Sequence, residues 1–114
     1  MVELNTEAAI NRIGDAAIYS EIAQAFACHI PGYITQITSF LETDAHEEAS
    51  RIIHSVKSNC ATVGAEGLRA RLAAVEKIAT QGKKEETLNS IENLRPELLE
   101  LKALLEKMHV YPSR

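Results

Sequence analysis

Apolar residues recur every three or four positions along most of the chain, which is the spacing of helices that bury one face. The alternation of apolar and polar residues that is typical of strands extends over no appreciable length. The pattern therefore predicts an all-α protein, with a short first helix over Thr6–Ile13 and four longer helices after it. Because only short connections separate the long helices, we expect an up-down-up-down antiparallel four-helix bundle.

Capping residues and glycines predict where these helices begin and end. Asn5 or Thr6 caps the first helix and Gly14 ends it, whereas Asp15 caps a second helix that continues to about Leu41. The third helix is expected from a cap at Asp44 to Gly64, the fourth from Ala65 to about Thr80, and the fifth from about Lys84 to Met108.

Two prolines fall inside the predicted helices. Proline lacks the backbone N–H and clashes with the preceding turn, so Pro31 predicts a kink or a break in the second helix, and Pro96 a bend or restart in the fifth. The positions of the second helix expected to face the core are Ile18, Ile22, Ala25, Phe26, Ile30, Tyr33, Ile34, Ile37 and Leu41. Those of the third helix are Ala49, Ile52, Ile53, Val56, Cys60 and Val63.

Length and charge narrow the class of protein. A chain of 114 residues is the size of a single domain, which we expect to span residues 1–114. The formal net charge of −4 and the absence of a lysine and arginine cluster argue against a nucleic-acid partner. No apolar run approaches the roughly 20 residues that span a bilayer, so no membrane contact is expected.

Cys28 and Cys60 are expected to be buried free thiols, which implies a reducing, cytoplasmic location.

The candidate chemistry lies on the third helix, where His54 falls on a flank and not on the apolar face. Ser50, Lys57, Ser58 and Ala61 share that flank. A neutral imidazole is a good nucleophile near neutral pH and can hold a covalent intermediate. The ammonium of Lys57 can offset the charge of a phosphoryl group, and small neighbours let a carboxylate approach in line. A solvated surface histidine is the competing interpretation.

The other histidines have ordinary explanations. His29 borders Pro31, His46 lies in the first turn of the third helix, and His109 is placed at a helix end that favours cations. We therefore expect these three side chains to be structural or solvated. No metal site is expected, because no spacing of histidine, cysteine and acidic residues matches a tetrahedral ligand set.

The segment HSVKSNCATVGA, residues 54–65, resembles the signature of histidine-phosphotransfer (HPt) domains. That signature has a histidine, an apolar residue, a lysine, small residues and a closing Gly-Ala. The resemblance covers nearly the whole chain: the second helix contains phenylalanine and a central proline, and Leu68–Glu76 is similar to the family's fourth helix. The chain departs from the family pattern at Ser58, where a glycine often follows the lysine, and at Asn59 and Cys60, where small hydroxyl residues are usual.

The resemblance implies that His54 accepts a phosphoryl group from an aspartyl phosphate and passes it to a second aspartate. It also implies that Lys57 assists electrostatically and that Gly64 permits tight helix packing. The phosphoryl environment and docking surface would comprise Ser50, Arg51, Ser58, Ala61 and Gly64. Receiver domains of response regulators or of a hybrid sensor kinase are the implied partners, and they would supply the divalent metal. No cofactor or kinase site of its own is expected, and the chain should be a monomer.

Two other functions compete with this one. The phosphoacceptor helix region of a sensor histidine kinase also presents a histidine, but an acidic residue usually follows that histidine directly, whereas Ser55 follows here. A non-catalytic helical docking adaptor for a response regulator would need neither His54 nor Lys57. Both are present at the signature spacing, which favours the phosphoryl carrier.

Overall fold

The computed structural model describes residues 2–107, and every regular element in that part of the chain is a helix. The all-α prediction is therefore confirmed. The helices are α1 (Thr6–Ile13), α2 (Ala16–Glu42), α3 (His46–Val63), α4 (Glu66–Thr80) and α5 (Lys84–Glu106). The predicted end of the fifth helix at Met108 lies outside the described residues.

The four long helices close a ring in which each one packs against two others. Helix α3 contacts α2 and α4, and α5 contacts the same two helices from the other side, while α1 lies against α2 and α3. Buried apolar side chains from all five helices belong to one cluster. Helix α3 therefore has its core side filled by neighbours, and any side chain on its opposite face is directed outward.

The core face of α3 follows the predicted pattern closely. Ala49, Ile53, Val56, Cys60 and Val63 are buried, and Ile52 is partly buried against the same cluster. Burial of each such side chain contributes about 1 to 3 kcal/mol, so this face fixes how the helix is rotated about its axis. His54 then has to lie on the solvent side.

The predicted core face of α2 was wrong at two positions. Ile18 is 47% exposed, and Ala25 is exposed as well. Tyr19, Ala23 and Ala27 are buried instead. Because α2 contacts three other helices, its buried surface is broader than one stripe, and its apolar residues do not identify a single face.

The predicted cap at Asp44 was also wrong. Ala45 occupies the N-cap position of α3 and makes no side-chain cap hydrogen bond. Asp44 instead adopts a left-handed conformation with φ 62°, and the N–H of Ala45 donates to the carbonyl of Phe40 at 2.7 Å. Asp44 therefore belongs to the turn that ends α2, which places it one residue too early to cap α3. By contrast, the predicted cap at Asp15 is confirmed, since its carboxylate accepts from the N–H of Ala17 at 2.7 Å.

Neither proline divides its helix, so the break considered at Pro31 and the restart considered at Pro96 did not occur, whereas the alternative kink and bend stay predictions. Pro31 lies within α2 and Pro96 within α5, and both are exposed. Proline removes only one backbone hydrogen bond from a helix. Ile30 before Pro31 and Ile34 after it are both buried, so both halves of α2 stay packed on the core. Among residues 2–107, no helix is long and apolar enough to cross a membrane.

The two cysteines are both free, but only one is buried. Cys60 is buried as predicted, and burial raises the pKa of its thiol to about 12. Cys28 is exposed, contrary to the prediction, because it follows the buried pair Phe26 and Ala27 on the side of α2 that faces solvent.

Candidate functional site

His54 lies in the middle of α3 with its side chain 58% exposed. Its Nδ1 is 3.1 Å from Oε2 of Glu76, which projects from α4. A carboxylate accepts hydrogen bonds and does not donate them, so this contact assigns the proton of the neutral ring to Nδ1. The lone pair of the neutral imidazole is then on Nε2, which is the nitrogen left to act as a nucleophile.

Lys57 contacts the same carboxylate. Its Nζ donates to Oε1 of Glu76 at 2.7 Å, and the two side chains are 23% and 22% exposed. One carboxylate therefore holds the ring of His54 with one oxygen and the ammonium of Lys57 with the other. The pairing fixes both side chains on the surface between α3 and α4.

The pKa of Glu76 reflects opposing effects. Partial burial raises the pKa of this carboxyl, whereas the hydrogen bond and positive charge of Lys57, followed by the contact with His54, lower it. The lowering effects prevail, so the pKa of Glu76 lies below the ordinary range of a glutamate. Glu76 is therefore ionised at neutral pH and remains a hydrogen-bond acceptor for the imidazole.

The other predicted site residues lie around His54 but differ in exposure. Ser58 and Arg51 are exposed, while Ala61 is half-buried. Ser50 is half-buried, and its Oγ is buried with no hydrogen-bond partner among the residues that the structure describes. Ser50 lines a cleft of about 380 Å³ between the start of α3 and the end of α4, which Arg51 lines as well. Ser58 and Arg51 thus offer polar groups at the surface, whereas the hydroxyl of Ser50 faces inward.

Gly64 ends α3 in a left-handed conformation with φ 96°. A Cβ at this position would lie 2.5 Å from the backbone oxygen of Asn5, closer than carbon and oxygen can approach. The N–H of Asn5 also donates to the carbonyl of Gly64 at 3.0 Å. The segment before α1 therefore packs directly on the end of the histidine-bearing helix, which explains why a glycine is needed there.

Two further hydrogen bonds hold the same end of α3. A guanidinium nitrogen of Arg12 donates to the carbonyl of Ala61 at 2.8 Å, and the hydroxyl of Tyr19 donates to the carbonyl of Val63 at 2.8 Å. The last carbonyls of a helix lack their usual partner four residues further on. The carbonyl of Ala61 also accepts from the N–H of Gly64 at 3.2 Å, whereas Tyr19 supplies the hydrogen bond that the carbonyl of Val63 would otherwise take from water. Residues outside the bundle ring and at the start of α2 thereby fix α3 in place.

Neither His29 nor His46 contacts His54, although His46 lines the same cleft as Ser50 and Arg51. His29 is exposed on α2, with its ring 6.1 Å from that of Tyr33 in an edge-on arrangement. His46 is half-buried at the start of α3, and its Nδ1 is buried without a hydrogen-bond partner in the described part of the chain. The prediction for His109 falls outside the described residues.

Glu76 is the site residue that the sequence pattern missed. It follows the buried residue Val75 on α4 and has the spacing of an ordinary surface glutamate. Only the contact of α3 with α4 brings it to His54, 22 positions earlier in the chain. No short-range pattern links the two residues.

The sequence profile of the Hpt domain matches residues 21–109, which is more than half of the chain. Comparisons with curated proteins and with solved structures found no match. The matched range includes the whole of α3 and α4, and with them His54, Lys57 and Glu76. The chain therefore belongs to the family of Hpt domains, which have a phosphotransfer role in two-component signalling and interact with receiver domains.

Proposed function

We propose that the protein is a phosphorelay intermediate that accepts a phosphoryl group on His54 from one receiver domain and passes it to the aspartate of another. The observation that carries this proposal is the arrangement on α3 and α4, where an exposed imidazole has its Nδ1 held by Glu76. That hydrogen bond leaves Nε2 available for an electrophile that approaches from solvent.

The proposed step exchanges one bond to phosphorus for another. The Nε2 lone pair of His54 attacks the phosphorus of a partner's aspartyl phosphate, and the bond from phosphorus to the aspartyl oxygen breaks. The carboxylate leaves with that electron pair, and Nδ1 keeps its proton, so the phosphorylated ring is cationic. Glu76 accepts from this Nδ1–H and stabilises the positive charge, which is greater in the product than in the starting imidazole.

Return of the group to a carboxylate follows the same path in reverse. Lys57 lies within the same network, where its ammonium can attract the phosphoryl oxygens once the group is on His54. The exposed Ser58, one turn further along α3, offers a hydroxyl on the same face. We further propose that the receiver domain supplies the divalent metal and that this chain has no cofactor and no kinase site of its own.

The finer details of architecture are also proposals. Connections of two or three residues between the long helices, and the ring of contacts from α2 to α5, support an up-down-up-down antiparallel bundle. The single apolar cluster supports one domain over residues 1–114. We propose a cytoplasmic location, because receiver domains and their kinases exchange phosphoryl groups there.

The test is phosphoryl transfer from a phosphorylated receiver domain to the wild-type chain, to His54→Gln and to His29→Gln. Intact-mass analysis should show one acid-labile phosphoryl group on the wild type and on His29→Gln, and none on His54→Gln. His29 is a suitable control because it is an exposed histidine on a neighbouring helix. A phosphoryl group on His54→Gln, or none on the wild type with several receivers, would contradict the proposal.

A further inference from the structure

The arginines of the described residues differ in how their charges are balanced. Three of them form ion pairs with a glutamate: Arg69 with Glu66, Arg71 with Glu97, and Arg95 with Glu92. Within residues 2–107, Arg12 and Arg51 have no carboxylate within ion-pair distance, and both are exposed. Arg51 lies on α3 one turn before His54, and Arg12 lies on α1 against the carbonyl of Ala61, which is two turns after His54.

Arg12 lies on α1, outside the residues that match the Hpt profile. A guanidinium nitrogen donates to the carbonyl of Ala61 at 2.8 Å, and this is the only hydrogen bond of the Arg12 side chain to the described residues. The contact holds the guanidinium against α3 while its other N–H groups are free to bind a second acceptor. Its position is therefore set by the fold, and its charge is open to a partner.

The distance from His54 places Arg12 within reach of a protein docked there. Ala61 is seven residues after His54, so it lies on the same face of α3, about 10 Å further along the helix axis. A standard protein interface buries roughly 800 Å² on each partner, which corresponds to a radius of about 16 Å. An interface centred on His54 therefore includes both Arg12 and Arg51.

We propose that Arg12, together with Arg51, binds carboxylates on the docking face of the phosphoryl partner, which makes α1 part of the docking surface. The inference rests on the proposed function. A partner that carries a phosphoryl group on an aspartate and holds a divalent cation with further carboxylates has a docking face whose negative charges outnumber the two charges of the cation. Two arginines that flank the attacking imidazole are complementary to such a surface, and charges at the rim of an interface act mainly on the rate of encounter.

The experiment compares Arg12→Ala and Arg12→Lys with Arg95→Ala. Arg95 carries the same charge but lies on α5, paired with Glu92. The initial rate of phosphoryl transfer is measured against the concentration of phosphorylated receiver, at about 50 mM and about 500 mM salt. We expect Arg12→Ala to raise the half-saturating concentration about three- to tenfold at low salt with the maximal rate unchanged. The difference should shrink at high salt because screening shortens the range of surface charge.

Arg12→Lys and Arg95→Ala distinguish the loss of a positive charge near His54 from a general effect of losing an arginine side chain. Arg12→Lys should retain most of the wild-type affinity, and Arg95→Ala should match the wild type. A defect in Arg12→Ala that equals that of Arg95→Ala, or that is the same at both salt concentrations, would overturn the proposal. Calorimetric titration with the unphosphorylated receiver repeats the comparison without phosphoryl chemistry. If the receiver binds in a way that depends on Arg12 but no phosphoryl group is transferred, the phosphoryl shuttle is refuted and the docking role of Arg12 is supported.

Discussion

At the scale of single residues, Glu76 is the group on which the site depends. It binds two cationic or potentially cationic side chains at once, with Oε2 on His54 and Oε1 on Lys57. The carboxylate orients the imidazole and offsets the charge that the ring gains on phosphorylation. It also balances the ammonium of Lys57, so the charges within this network are largely compensated before a partner arrives.

Replacing this carboxylate should slow the transfer step. We expect Glu76→Gln to reduce the rate of phosphoryl transfer to His54 by about tenfold or more, since a neutral amide stabilises the cationic ring less and allows the other tautomer. The measurement is the single-turnover rate with a phosphorylated receiver in excess. Glu92→Gln on α5 is the matched control, and a wild-type rate in Glu76→Gln would show that the carboxylate does not act on the imidazole.

Glu76→Gln should also change how the free energy of unfolding depends on pH. The pKa of Glu76 is lowered in the folded state, so its contribution to stability is present above the ordinary glutamate pKa of about 4.3 and is lost as the pH falls through the lowered value. Urea unfolding should therefore show the wild type more stable than Glu76→Gln at pH 7, by at most about 1 kcal/mol for this partly exposed network. That difference should disappear in acid.

At the scale of secondary-structure elements, the most constrained point is the end of α3, where the chain before α1 packs on Gly64. The left-handed conformation and the close approach of Asn5 both act against a side chain at this position. The element that carries the histidine is therefore fixed at one end by backbone packing and along its length by its buried face.

Three glycine-to-alanine variants separate these effects. Gly64→Ala should destabilise the protein by about 2–4 kcal/mol, because it adds a backbone clash to the cost of a left-handed alanine. Gly14→Ala, with φ 92° but open space around it, should cost about 1–2 kcal/mol. Gly67→Ala, in helical conformation with open space, should stabilise the protein by about 0.5–1 kcal/mol. Urea unfolding measures all three, and equal effects for Gly64→Ala and Gly14→Ala, which share the left-handed conformation, would refute the close packing on Asn5.

At the scale of the whole molecule, the described residues form an elongated body of 47 × 23 × 20 Å. Large exposed apolar side chains in the described part of the chain are limited to Ile18 on α2 and Leu99 on α5. Single exposed apolar residues are normal on a monomer and do not make an association surface. The buried apolar side chains of the four long helices pack against one another within one chain.

We therefore expect the protein to be a monomer in solution. Sedimentation equilibrium should give a mass of 12.5 kDa over a wide range of protein concentration. The reason is that apolar side chains from all five helices are buried together in one cluster of a single chain. A stable dimer would instead favour the phosphoacceptor region of a sensor kinase, in which helices of two chains form the bundle.

Local sequence was sufficient to identify the helices and the outward position of His54. Periodic apolar residues define α3 and its buried face, and the cap at Asp15 and the stop at Gly64 depend on neighbours within a few positions. The segment from His54 to Ala65 was sufficient for the resemblance that the Hpt profile confirmed. These features are determined over one or two helical turns, a range on which propensity and periodicity act directly.

Only the tertiary structure decided the contacts that complete the site. Glu76 meets His54 across 22 positions, and Arg12 meets Ala61 across 49. The exposure of Cys28 and of Ile18 also depended on which helices surround α2. Such contacts are set by how each helix is rotated and placed against its neighbours. That placement minimises the exposed apolar area of the whole bundle, so no local segment of the sequence specifies it alone.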